Sequence, residues 1–291
     1  MPENKRYPLF FMESFQQIGK MRAKARALRN TGKPLAFVPT MGALHKGHMR
    51  LIERAKGLGG SVVVSNFVNP IQFTNEQDLK NYPRDAAKDE KLCEEAGVDA
   101  YFAPSVEEMY PHGFLTSVNV GYLGAQYEGA SRPGHFRGVC TVVLKLLNIV
   151  QPTHLLLGLK DAQQFTIIQH MVDDLALDVE LIGVPTVRDT DGLALSSRNV
   201  LLTKEQRTAA LCMQRALKRV HFLVKKQGIL HSGELLQAVR SATNTEHVTL
   251  DYAAIVNRTT LEPLDHVMRG GTYILIAIKV GNVRLIDNTR I

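Results

Sequence analysis

The chain has 291 residues, 45% of them hydrophobic and 22% charged, with a formal net charge of +7. This is enough for a normal core in one large α/β domain and a smaller one, and the longest apolar stretch, Val139 to Val150, is broken by Lys145 and Asn148, which excludes a membrane span. The positive balance favours acidic partners, yet its lysines and arginines are scattered along helices with few aromatics between them, as on solvated faces rather than in a nucleic-acid groove.

The start, MPENKRYPLFFM, has an apolar patch too short for a secretory signal and no small-residue cleavage site, so a cytoplasmic protein is expected. Phe15, Ile18, Met21, Ala25 and Leu28 recur at helical spacing and predict a first helix, which Gly32 and Pro34 end. Residues 35–39 read as a buried strand, followed by a Gly- and His-rich turn and a helix from about His48 to Lys56. A strand over 61–67 leads into the loop NPIQF. Then come a charged helix (84–96), a strand at AYFAP and an apolar helix over 138–150. A strand at 154–158 follows, then a helix over 161–174 and a strand over 178–185. Cys93, Cys140 and Cys212 lack metal or redox spacing and read as reduced thiols in helices.

Short β-branched runs alternating with helices imply βαβ units and a doubly wound, mainly parallel sheet. After about Val187 helices over 203–227 and 232–243 precede strands over 248–257, 272–280 and 283–288. That texture suggests a small α+β domain, dividing the chain into 1–187 and 188–291.

In parallel sheets ligands sit beyond the carboxyl ends of the strands. Four polar loops fall there: HKGH, NPIQF, GLKD and RDTDGLALSSRN. In the first, Gly42 and Gly47 permit close backbone approach, free N–H groups at the helix start favour anions, and His45 and His48 can donate to phosphate oxygens. The alternative is a polar turn with solvent-facing histidines. A zinc site lacks a third ligand nearby. Gly57-Leu58-Gly59-Gly60 follows a helix and is a helix stop, not a dinucleotide fingerprint. Lys160 can neutralise triphosphate charge, while Asp161 accepts ribose hydroxyls or caps a helix. Gly158 to Lys160 is expected to continue the strand, turning Leu159 toward apolar packing if Lys160 reaches phosphates. Ser196-Ser197-Arg198-Asn199 is either a ligand loop or a turn with an N-cap. Arg132 and His135 share a Gly/Pro-rich stretch that is either a mobile substrate loop or a linker. Gln72 and Gln164 offer an uncharged, bidentate grip on a hydroxy acid. By charge alone, a basic RNA-binding protein is the competing non-enzymatic reading.

Taken together, PTMGALHKGH, FVNPIQF, YPRD, EGASRPGHFRG, KDAQQ and DGLALSSRN, in this order and spacing, resemble the pantothenate synthetase (pantoate–β-alanine ligase) family over about residues 35–205, and LIDN near the C-terminus also fits. HxGH alone reaches only the wider nucleotidyltransferase group and class I aminoacyl-tRNA synthetases. The resemblance implies a Rossmann-like N-terminal domain, a smaller C-terminal domain, Mg²⁺ bound with ATP, and a homodimer. It implies that pantoate attacks the α-phosphorus of ATP and that β-alanine then attacks the acyl adenylate. By motif, Met41, Gly42, Ala43, Leu44, His45, Lys46, Gly47 and His48 would line the nucleotide site. Gly158, Leu159, Lys160, Asp161, Val187, Leu195, Ser196, Ser197 and Arg198 would complete it. His48 is the implied proton donor, acting with His45, Lys160 and Arg198, and nearby phosphate is expected to favour imidazolium in both histidines. Gln72 and Gln164 would hold pantoate, with Asn69, Tyr82 and Arg132 in the same pocket. The family's usual Gly-Glu-Lys-Asp reads Gly158-Leu159-Lys160-Asp161 here.

Overall fold

The computed structural model describes residues 11–291. Most of the N-terminal stretch read above for the absence of a secretory signal, residues 1–10, lies outside them. The first half of the chain runs β1 (Glu13–Phe15), α1 (Ile18–Arg29), β2 (Leu35–Thr40), α2 (Lys46–Lys56), β3 (Ser61–Asn66), α3 (Glu76–Asn81), α4 (Ala86–Glu95) and β4 (Ala100–Phe102). It continues through α5 (Val106–Met109), α6 (Glu128–Ser131), α7 (His135–Val150), β5 (His154–Gly158), α8 (Ala162–Asp174) and β6 (Glu180–Val184). The six strands form one parallel sheet in the order β1-β4-β3-β2-β5-β6.

Strand periodicity explains why helices cover both faces. Leu35 and Phe37 point into a core built with α1, α7 and α8, whereas their neighbours Ala36 and Val38 point into a second core with α2 and Cys93 of α4. The continuous apolar run of β2 is thus two half-faces interleaved.

Three local expectations are corrected. Phe15 has helical spacing but ends β1, opposite Phe102, because its carbonyl accepts from the Ala103 N–H (2.9 Å). The stretch EGASRPGHFRG is neither a loop nor a linker: it makes α6 and the first turn of α7, joined at Gly134 with φ 84°. After Gly158 the chain leaves the sheet, and Leu159–Asp161 is a single 3₁₀ turn rather than more strand.

The remaining elements are α9 (Lys204–Ala210), α10 (Cys212–Gln227), α11 (Ser232–Thr243), β7 (Val248–Asn257), β8 (Thr272–Val280) and β9 (Val283–Arg290). The helix expected over 203–227 is therefore two, meeting at Leu211. Strands β7-β8-β9 form an antiparallel sheet. Ile274, Ile276 and Ile278 face α10 and α11, while Tyr273 and Leu275 on the opposite face join the core of the first sheet. No helix of the described residues is long and apolar enough to cross a membrane.

Candidate active site

Strand order locates the site. From β2 the chain moves to β3 and β4 on one side, then returns through α7 to β5 on the other. The carboxyl ends of β2 and β5 therefore flank a topological switch point, where a crevice opens. The turn 41–45 leaves β2 there, and the turn Leu159–Asp161 leaves β5.

The first turn is shaped largely by its own hydrogen bonds. Gly42 (φ 80°) and Ala43 (φ 50°) both adopt left-handed backbone, and a Cβ on Gly42 would lie 2.6 Å from Asn66 Oδ1. The N–H groups of Ala43 and Leu44 donate to Oδ2 (2.8 Å) and Oδ1 (2.7 Å) of buried Asp89 on α4. Gly42 N–H donates to Thr40 Oγ1 (3.2 Å). The turn before the helix start is thus satisfied from within, so any backbone N–H groups offered to an anion are those at the start of α2.

The imidazoles cap α2. His45 Nδ1 accepts from the Gly47 N–H (3.1 Å), and His48 Nδ1 accepts from the His45 N–H (3.2 Å). A ring nitrogen that accepts carries no proton, so in both rings the proton is assigned to Nε2. Burial, reinforced by the Lys160 ammonium, lowers the His45 pKa; burial, reinforced by His45, brings that of His48 down to about 3. His48 is half-buried, and its ring reaches the cleft. Burial thus favours neutral Nε2–H donors in both rings of the free protein, whereas the expectation of imidazolium concerns rings beside bound phosphate.

Across the crevice, Lys160 Nζ lies 3.5 Å from Asp161 Oδ1. Asn288 of β9 donates to the carbonyls of Leu159 (2.9 Å) and Lys160 (2.7 Å). Leu159 turns away from the cleft; its Cδ2 would lie 2.6 Å from a Cβ on Gly183. On a third side, Ser196 Oγ accepts from the Arg198 N–H (3.3 Å), Arg198 pairs with Asp78 (3.1 Å), and Ser197 Oγ meets Tyr82 Oη at 3.4 Å.

The amides form the inner wall. Gln72 and Asn69 are buried, with Asn69 Nδ2 donating to Gln72 Oε1 (3.0 Å) and to the Gly138 carbonyl (3.1 Å). Tyr110 Oη donates to Asn69 Oδ1 (2.9 Å). His135 Nδ1 meets the Gln72 carbonyl at 2.8 Å, and Arg132 Nη1 meets His135 Nε2 at 3.3 Å. Because arginine only donates, Nε2 accepts and Nδ1 carries the proton. Burial, with Arg132 adding to it, lowers the His135 pKa to about 4.

Most of the expected residues meet in one solvent-open cleft of about 1430 Å³: Met41, His45, Gly47, His48, Gln72, Tyr82, Arg132, Gly158, Lys160, Asp161, Gln164, Val187, Leu195, Ser196, Ser197 and Arg198. Asn69 stands directly behind Gln72. Leu44 packs into the core with Val38 and Val64, and exposed Lys46 lines a separate shallow hollow with Val187. Sequence reasoning missed Asp89, Asn288 and Glu128. Glu128 is buried, accepts from Arg284 at 2.5 and 2.8 Å and from Tyr252 Oη at 2.9 Å, and borders a second cavity of about 850 Å³. LIDN contains Asn288 and was the available clue to it.

A doubly wound sheet with paired imidazoles, a lysine and buried amides around its switch point defines a Rossmann-like α/β protein that binds small polar molecules. The profile of the family Pantoate-beta-alanine ligase matches residues 13–290. The chain is 48% identical to the pantothenate synthetase of Pelotomaculum thermopropionicum over 272 residues, 93% of this chain and 96% of that protein. It is 50% identical to that of Chloroflexus aggregans over 268 residues, 91% and 96% of the two chains. The crystal structure of Thermus thermophilus pantothenate synthetase superposes with a TM-score of 0.90 at 47% identity, covering 96% of this chain and 99% of that one. The Francisella tularensis pantoate-beta-alanine ligase, solved with beta-gamma ATP and beta-alanine, superposes with a TM-score of 0.75 at 34% identity over 96% and 98%. The chain belongs to the pantoate–β-alanine ligase family and is a carbon–nitrogen ligase.

Proposed function

We propose that this chain condenses pantoate with β-alanine through a pantoyl-adenylate intermediate, at the expense of ATP. A pantoate carboxylate oxygen attacks the α-phosphorus, the bond to the bridging oxygen breaks, and pyrophosphate leaves. The β-alanine amine then attacks the acyl carbon, loses a proton, and AMP departs with the electrons of the acyl–oxygen bond. Such chemistry asks the protein chiefly for positioning and charge stabilisation.

In this reading the Nε2–H groups of His45 and His48 and the Lys160 ammonium meet the phosphates, and Arg198 lies beside them. Backbone at 41–48, 158–161 and 195–198, together with Val187, cradles the nucleotide. Gln72 and Gln164 hold pantoate, with Asn69 supporting Gln72 and with Tyr82 and Arg132 at the rim. Among the described residues no three His, Cys, Asp or Glu side chains converge as a metal cage. Mg²⁺ would arrive on the triphosphate as part of the substrate, with Asp161 the nearby carboxylate. We further propose a cytoplasmic homodimer, with 1–187 the nucleotide and pantoate domain and 188–291 the smaller domain.

The observation that carries this reading is that two imidazoles with Nε2–H assigned, the buried Gln72 amide and the half-buried Gln164 amide line one cleft. Labelled pyrophosphate is expected to enter ATP when pantoate is present and β-alanine absent. Exchange that requires β-alanine, or that needs no pantoate, would overturn the adenylate.

A further inference from the structure

Asp89 carries a carboxylate that the chemistry above does not use. It sits on α4, 1% exposed, under the turn that bears the two imidazoles. Its partners are all N–H donors: the backbone of Ala43 (2.8 Å) and Leu44 (2.7 Å), and the Asn66 amide (3.0 Å), which also donates to Tyr101 Oη (2.7 Å). The cluster presses on the turn so closely that a Cβ on Gly42 would lie 2.9 Å from Asp89 Oδ2.

Two consequences follow from this geometry. Carboxylate acceptors bind N–H groups about twice as strongly as neutral ones, so Asp89 withdraws the amides of Ala43 and Leu44 from any ligand in the cleft. It also holds Ala43 at φ 50°, a backbone that a residue with a Cβ rarely adopts unaided. The next residue but one is His45, whose ring and N–H make the cap that orients both imidazoles.

We infer that Asp89 is a positioning residue for the activation step: by taking the N–H groups of Ala43 and Leu44 it fixes the turn so that His45 and His48 present Nε2 to the nucleotide phosphates. The inference rests on the function proposed above.

The test is Asp89→Asn, titrated separately with a non-hydrolysable ATP analogue and with pantoate. An amide oxygen can accept from one backbone N–H, but its NH₂ then meets the other donor head-on. Affinity for the analogue is expected to fall about 10- to 100-fold, as for a lost charged hydrogen bond and an unmet N–H, with pantoate affinity within about twofold. A residue that merely stabilised the fold would lower the melting temperature and leave both affinities of the folded protein alone. Adding Ala43→Gly, which accepts positive φ without help, is expected to restore at least about fivefold of the loss. Parental affinity for the analogue in Asp89→Asn overturns the inference, as does an equal loss for both ligands. Should Asp89→Asn not fold, Asn66→Ala removes only the third donor. It is then expected to weaken the analogue about threefold and spare pantoate, and unchanged affinity for the analogue overturns the inference there too. If the parent protein does not bind pantoate, the function proposed above fails, while the analogue titrations still decide the role of Asp89.

Discussion

At the scale of single residues, the tautomers decide what the two histidines can do. An imidazolium carries protons on both nitrogens, so charging His45 or His48 breaks the cap that holds α2. With its pKa brought down to about 3 by burial and by His45, His48 is disposed, in the function proposed above, to serve as a neutral Nε2–H donor toward developing charge. The groups facing it are His45, Asp161 and Lys160; the Asp161 carboxylate favours charging, and the Lys160 ammonium disfavours it. His48→Ala is expected to cost about two to four orders of magnitude in turnover, and about tenfold in nucleotide affinity. His48→Gln, which keeps a neutral N–H donor, is expected to retain about tenfold more turnover than His48→Ala. Steady-state rates from pH 5 to 8 should show no acid limb from His48. Equal inactivity of the two variants, or a limb near pH 6.5 that His48→Gln abolishes, would restore the proton-donor role. Leu159 shows how a departure from the family pattern is absorbed. The strand ends at Gly158, the 3₁₀ turn rolls the Leu159 side chain against β6, and Lys160 and Asp161 line the cleft.

At the scale of elements, α7 reaches the amide wall of Asn69 and Gln72 because position 138 has no side chain. A Cβ on Gly138 would lie 2.5 Å from the Ile71 carbonyl and 2.7 Å from the Gln72 backbone. Gly138→Ala is therefore expected to displace the turn Pro70–Gln72 and raise the KM for pantoate roughly 10- to 100-fold, leaving the KM for ATP near its parental value. Steady-state kinetics with each substrate varied in turn checks this, and equal rises in both would disprove it. The motif SRPGHFRG thus carries a packing requirement, which the sequence records only as one glycine among several. Local signals were readable in general: buried strands as β-branched runs, turns as Gly- and His-rich stretches, and polar loops at strand ends. What stayed hidden acts over long separations. Asp89 reaches a backbone N–H 45 residues away, Asn288 a carbonyl 129 residues away, and Glu128 an arginine 156 residues away. Such bonds leave no periodic trace, and Phe15 misled because apolar spacing cannot reveal that a backbone pairs with β4.

At the scale of the whole molecule, the second sheet is tied to the first through charge and through the site itself. Arg284 of β9 pairs with Glu128 (2.5 Å) and with Asp251 of β7 (2.7 Å), and Ser131 Oγ donates to Asp251 (2.9 Å). Burial opposes ionisation of Asp251, yet Arg284 and Ser131 outweigh it and hold its pKa below the ordinary carboxylate value. The cleft adds three imidazoles kept neutral: burial is the first cause in each, with His48 near 3, His135 near 4 and His45 lowered. The signs agree. A histidine whose folded pKa lies below its unfolded 6.5 contributes stability that is fully present above pH 6.5. As pH falls, the unfolded chain binds a proton the native state refuses, and that stability is lost down to the folded pKa. Asp251 behaves likewise in its own, lower window, losing stability as pH drops from its unfolded value through its folded one. Between pH 6.5 and about 4, His48 and His135 alone should steepen the loss by about 1.4 kcal/mol per pH unit each, a large share of an ordinary domain's 5–15 kcal/mol. Urea unfolding at half-unit pH steps is expected to show stability falling from pH 6.5 downward, well above the range where carboxylates titrate. His135→Gln can still donate to the Gln72 carbonyl and accept from Arg132 but cannot titrate. It should flatten that slope by about one proton, or ~1.4 kcal/mol per pH unit. A parent curve level down to pH 5 would mean that these rings charge within the native state, and the neutral assignment on which the cleft's donor geometry rests would fall with it.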